Sequence, residues 1–143
     1  MRKLFLFSLI AVLSFGLIPV NTSYAAEGNK VIYHVNLGNE QATDALRNIS
    51  NHLSVDPTVK IVVVTHSAGV DFLLQGAEDK NGNPYSGPVA ALAAKGVEFR
   101  VCKLTLERRK IDLKKVLPDA KLVPSGVAEV TKLQQEGYAY LKP

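Results

Sequence analysis

The chain has 143 residues, 47% hydrophobic and 21% charged, a balance that suits one folded domain and excludes a disordered or low-complexity chain. Its formal charge of +4 includes Arg2 and Lys3 of an apolar leader; without them 15 of the 17 basic residues face 13 acidic ones, so no nucleic-acid partner is expected. The single cysteine, Cys102, excludes an intrachain disulfide, Cys-x-x-Cys redox chemistry and Cys₄ or Cys₂His₂ zinc sites, and no metal or cofactor is expected.

Residues 1–25 read as a secretory signal peptide. Met1-Arg2-Lys3 is a positive start, Leu4 to Val20 is apolar, and Ser23 and Ala25 put small residues before a cleavage point after Ala25 or Ala26. Gly16 and Pro19 interrupt the apolar run, which falls short of the roughly 20 residues of a membrane span. Residues 26–143 then form one domain, periplasmic or secreted, with no membrane attachment after cleavage. An odd cysteine in such a compartment implies a free thiol with a purpose, pairing with another molecule, or inertness through burial.

Lys30 to Leu37 alternates and is β-branched, which predicts a strand. Ala42, Leu46, Ile49 and Leu53 recur at helical spacing, which predicts a helix over Asn39 to Leu53. Lys60 to Thr65 is a continuous apolar run, the pattern of a parallel strand covered on both faces. A short helix over Gly69 to Gln75 and a polar loop over Gly76 to Gly87 follow. Pro88 to Lys95 reads as a helix with proline in its first turn, and Val97 to Cys102 as the third strand. Leu104 to Leu117 is expected to be helical in part, with Arg108 to Lys115 as a solvated basic face. Lys121 to Val123 is a short strand, Ser125 or Gly126 opens a helix to Gln135, and Tyr138 to Leu141 is the last strand. This alternation predicts an α/β fold: a flavodoxin-like, doubly wound, mainly parallel five-stranded sheet with helices on both faces.

In such sheets ligands bind at the rim formed by the carboxyl ends of the strands. Four ends carry polar or reactive groups: His34-Val35-Asn36, Thr65-His66-Ser67, Cys102, and Ser125-Gly126. Ser67 and Ser125 precede helices and read as N-caps that could also help hold an anion. Cys102 is followed by Arg108, Arg109 and Lys110, cations that would favour its thiolate, the nucleophilic form. The other reading is a buried cysteine that packs. His66 is placed to face Cys102 as a base or hydrogen-bond partner, His34 reads as packing mid-strand, and His52 as solvated. The stretch Thr65-His66-Ser67-Ala68-Gly69 is not a hydrolase nucleophile elbow: the first glycine is missing and no histidine follows Ser67.

The segments Lys30 to Asn36, Leu46 to Leu53, Val62 to His66, Ala94 to Cys102, Val123 to Glu129 and Gln134 to Tyr140 together resemble the DsrE/DsrF-like family, in particular its exported single-domain branch. The resemblance implies a flavodoxin-like sheet and assembly into homo-oligomers. It also implies, in some members, sulfur relay through a persulfide on a cysteine matching Cys102. The expected function is sulfur handling with sulfurtransferase-like activity, Cys102 being the catalytic thiol and His66, with Arg108 as the alternative, tuning it. Asn36, Ser67, Arg108, Arg109, Ser125 and Gly126 would contact a sulfur donor, an acceptor protein or a small anionic ligand. The alternatives are a non-catalytic anion-binding oligomer and a thiol redox sensor.

Overall fold

The computed structural model describes residues 28–143; the expected signal peptide and its cleavage point lie outside the described residues. Strands and helices alternate as β1 (Lys30–Val35), α1 (Asn39–Val55), β2 (Lys60–Thr65), α2 (Ser86–Ala93), β3 (Glu98–Cys102), α3 (Lys103–Arg108), β4 (Ala120–Val123), α4 (Gly126–Gln135) and β5 (Ala139–Leu141). Two 3₁₀ turns, Ser67–Leu73 and Leu113–Lys115, complete the connections. The five strands pair in parallel in the order β4-β3-β2-β1-β5, the flavodoxin-like α/β architecture that the sequence predicts.

Strand alternation sorts the core into two layers. Val31, Tyr33 and Val35 of β1 and Ile61 and Val63 of β2 pack with Ala42, Ala45, Leu46 and Ile49 of α1, Val89 and Leu92 of α2, and Leu106 of α3. Ile32, Val62 and Val64 face the other way and pack with Val130 and Leu133 of α4. Helices α1 to α3 therefore cover one face and α4 the other. Topology explains this. Three connections step from β1 to β4 in one direction, and the fourth returns across the sheet to β5. Right-handed crossovers place a reversed connection on the opposite face.

The larger layer is anchored by aromatic contacts: Phe72 lies edge-on to Tyr85 at 5.7 Å and to Phe99 at 6.4 Å between ring centres. No helix among the described residues is long and apolar enough to cross a membrane.

Three local expectations are corrected. β1 ends at Val35 and not Leu37, because the N–H groups of Asn36 and Leu37 donate to Gln41 Oε1, each at 2.8 Å, and leave the ladder. The segment after β2 is a 3₁₀ turn over Ser67–Leu73, pressed so close to β1 that a Cβ on Gly69 would lie 2.1 Å from the Val35 carbonyl oxygen. The basic stretch Arg108 to Lys115 is not one helix face. α3 stops at Arg108, Lys110 turns left-handed (φ 54°), and the Ile111 N–H bonds the Leu106 carbonyl at 2.9 Å. This paired C-terminal motif folds Ile111 back against the core and turns the chain away.

Gly69 and Gly87 make opposing tests. Gly69→Ala forces backbone against backbone and should cost about 3 kcal/mol, the upper range for overpacking. Gly87, inside α2 with open space where a Cβ would stand, should gain up to about 1 kcal/mol as Ala. Urea denaturation midpoints of the two variants check both signs.

Candidate functional site

Cys102 ends β3 and lies beside Val123 of β4 in the strand register. From these neighbouring ends the chain leaves in opposite directions, to α3 on one face and to α4 on the other. Such a divergence opens a crevice at the strands' carboxyl ends. Gly126, the first residue of α4, fills its floor. A Cβ there would stand 2.9 Å from the Thr65 carbonyl oxygen, 3.1 Å from His66 Cβ and 3.3 Å from Cys102 Cβ. Only glycine lets the start of α4 come this close, and the close approach brings Cys102 and His66 to one spot.

Cys102 as a residue is 5% exposed, so it is buried. Its surroundings are nevertheless polar. Burial pushes the Cys102 pKa up, but the Thr105 hydroxyl and the N–H groups of Gly126, Thr105 and Leu104 outweigh it, and the pKa falls below the ordinary thiol value. No short capping bond closes on the sulfur. Sequence reasoning attributed thiolate stabilisation to Arg108, Arg109 and Lys110; burial is the largest single influence and raises the pKa, and the groups that lower it are neutral donors, the Thr105 hydroxyl first.

A second cluster lies along the rim. Tyr140 Oη meets His34 Nδ1 at 2.7 Å, His34 Nε2 meets His66 Nε2 at 2.7 Å, and His66 Nδ1 meets Ser67 Oγ at 2.9 Å. Two imidazole nitrogens this close share one proton, so the protons of the row point one way or the other together. Burial, then His66, then Lys142 lower the His34 pKa to about 4. Burial and Lys142 lower that of His66 as well. Both rings are therefore neutral near pH 7. Lys142 also donates to Asn36 Oδ1 at 2.9 Å.

The expected site residues fall into three groups. Cys102, Gly126 and His66 meet in the crevice, yet both His66 nitrogens are engaged by His34 and Ser67, so its role as the base for Cys102 is not the arrangement found. Ser67 ends the histidine row, and Asn36 lies beside it, accepting from Lys142. Ser67 is not a cap: His66 takes the cap position of the turn. Ser125 does cap α4, accepting from the Ala128 N–H at 3.4 Å. Arg109 pairs with Asp71 at 2.7 Å, and Arg108 is exposed in the last turn of α3.

Sequence reasoning missed Thr105, His34, Tyr140 and Lys142. Thr105 had a usable signal, three residues after Cys102, the spacing at which a helix-start residue meets the third helical N–H. His34 had one too, since its parity puts it on the face of Ile32, away from the larger core layer. Among the described residues no group of three or more His, Cys, Asp or Glu side chains is placed to hold a metal. Two clefts of about 480 Å³ open elsewhere, one beside Lys30, His52 and Leu141 and one beside Asn39, Asp79 and Tyr85; Cys102 lines neither.

The depressed His34 pKa fixes a pH dependence. In the unfolded chain His34 binds a proton below about pH 6.5, and in the folded chain only below about pH 4. Its contribution to stability is present above pH 6.5 and is lost as the pH falls toward 4. By NMR the His34 ring should titrate near pH 4, and Lys142→Ala should move that midpoint upward. A His34 midpoint near 6.5 in the native protein contradicts this.

The family model described as DsrE/DsrF-like matches residues 24–143. No curated protein matches the chain. Among solved structures, the protein of unknown function MTH1491 from Methanobacterium thermoautotrophicum is 31% identical, with a TM-score of 0.72 over 80% of this chain and 99% of that one. The ychN protein from E. coli shares the fold at 15% identity, with a TM-score of 0.65 over 81% of this chain and 98% of that one. With the family match spanning the whole sheet and the Cys102 crevice, the chain belongs to the DsrE/DsrF-like family.

Proposed function

We propose that the protein handles sulfur, and that Cys102 accepts a sulfane sulfur as a persulfide and passes it on. The observation that carries this reading is Cys102 at the strand divergence, with the start of α4 brought against it at Gly126 and the neighbouring Thr105 hydroxyl and backbone N–H groups lowering its pKa. Such donors favour an anionic sulfur without the desolvation cost of a buried ion pair. In the step itself, the Cys102 thiolate attacks the outer sulfur of a donor persulfide. A new S–S bond forms on Cys102, the donor S–S bond breaks, and its electron pair leaves on the donor thiolate. Transfer onward repeats this with an acceptor thiolate and restores Cys102. Neither direction needs an oxidant or a reductant.

The closed position of the thiol limits what reaches it. The donor is a small sulfane compound or a persulfide on a slender chain end. Leu104 and Val127, in the first turns of α3 and α4, are 39% and 61% exposed on either side of the crevice. We place a second copy or a partner protein on this apolar border. Export to the periplasm or beyond is part of the same proposal, carried by the N-terminal leader.

Reduced protein incubated with a low-molecular-weight persulfide should gain the mass of one sulfur, removable by reductant and absent in Cys102→Ser. No sulfur gain, or a gain that survives Cys102→Ser, refutes the carrier reading. A gain of oxygen under peroxide alone favours a redox sensor. The reactive form should also appear in alkylation kinetics. The iodoacetamide rate is slow in absolute terms because Cys102 is buried, but its pH midpoint lies below that of the same thiol in the urea-unfolded protein. A midpoint above that value means that burial wins and the thiol only packs.

A further inference from the structure

Ser67 is held in a conformation that serine rarely takes. Its φ is 52°, in the left-handed region, where a non-glycine residue persists only if its surroundings hold it. Three contacts do so. Its carbonyl accepts from Arg109 Nη1 at 3.1 Å, its N–H donates to Thr105 Oγ1 at 3.2 Å, and its hydroxyl meets His66 Nδ1 at 2.9 Å. Arg109 Nη1 is itself fixed by Asp71 Oδ1 at 2.7 Å.

These contacts bear on the Thr105 hydroxyl. The hydroxyls of Thr43 and Thr131, also in helices, donate to the carbonyl one turn behind, those of Asn39 and Val127. Thr105, in the first turn of α3, has no helical carbonyl one turn behind it. A hydroxyl has one proton to donate and two lone pairs. With a lone pair taken by the Ser67 N–H, the proton is free to turn toward Cys102, the helix-start residue three positions back.

We infer that Arg109 and the Ser67 peptide are positioning groups for Cys102: Arg109, anchored by Asp71, holds Ser67 left-handed, and the Ser67 N–H aims the Thr105 hydroxyl at the sulfur. Arg109 thus matters to the thiol through two hydrogen bonds and not through its charge. Its charge is already met by Asp71. The other ionisable groups on the elements that flank the crevice are His66, engaged by His34, the pair Lys103–Glu107 at 3.4 Å and exposed Arg108 on α3, and Glu129 in the first turn of α4, which is bound to Arg100. The inference rests on Cys102 being the reacting group of the proposed carrier, but its test does not use sulfur transfer.

The test is a double-mutant cycle on the pH profile of iodoacetamide alkylation of the purified protein. Thr105→Val should slow alkylation about tenfold at pH 6 to 7, the scale of one hydrogen bond to a charged group, and Thr105→Ser should restore it. Arg109→Gln should slow it about threefold, with Arg109→Lys recovering part of the rate. In the Thr105→Val background, Arg109→Gln should add nothing. All variants should react like the wild type near pH 10, where the thiol is ionised regardless; this separates altered ionisation from misfolding. An Arg109→Gln effect of equal size in both backgrounds means that the guanidinium acts directly by charge, and overturns the inference. So does an Arg109→Gln protein with the wild-type profile. If the coupling appears but Cys102 never takes up sulfur, the carrier reading fails and the positioning role stands.

Discussion

The site depends on the absence of a side chain at Gly126. β3 and β4 are paired neighbours whose chains leave to opposite faces of the sheet, and α4 must begin within contact distance of β2 and β3. A Cβ at Gly126 would press on the Thr65 carbonyl oxygen at 2.9 Å, a contact that backbone cannot yield cheaply. With glycine there, the N–H that opens α4 helps lower the Cys102 pKa, and Cys102 and His66 flank one point. The same economy of space operates at Gly69, where the turn after β2 rests on the end of β1. Both glycines bring connecting segments onto the carboxyl rim, which would otherwise be a row of separated strand ends.

The rim uses neutral groups where a surface site would use charges. The thiol is surrounded by a hydroxyl and amides, and the two facing imidazoles are held neutral by burial and by Lys142. The strong ion pairs lie elsewhere. On the α4 face of the sheet, Arg100 binds both Glu98 and Glu129, which hold it against the helix. Arg109 is spent on Asp71 and the Ser67 carbonyl. A thiolate, or the persulfide anion formed from it, therefore introduces the first negative charge into a pocket of oriented dipoles. Preoriented dipoles of this kind stabilise a charge with little rearrangement at the moment it forms.

The sheet was legible because its strands are written as apolar or alternating runs bounded by turn residues. β2 matched to the residue, and β3, β4 and β5 to within one. The elements that were misread are those whose shape is set by contacts distant in sequence. The turn at Ser67–Leu73 answers to the end of β1, and the break after Arg108 answers to the core that receives Ile111. At the site, Cys102 and Gly126 could be read from strand ends. The histidine row could not, because it joins His34 to Tyr140 across 106 positions and needs the β1–β5 pairing that only the return crossover creates. The cations after Cys102 were near in sequence, but Arg109 is bound to Asp71 and the Ser67 carbonyl, and Arg108 and Lys110 are exposed. The hydroxyl of Thr105, one helical turn on, took the place assigned to them.

The central claim is that Cys102 carries sulfur in the working protein. The most direct measurement is the intact mass of the protein isolated from its native compartment without reductant, compared with the same sample after reduction and with Cys102→Ser. The account predicts a fraction heavier by one sulfur atom, lost on reduction and absent from the serine variant. Isolated protein carrying only an unmodified thiol at Cys102, or oxygen in place of sulfur, would contradict it.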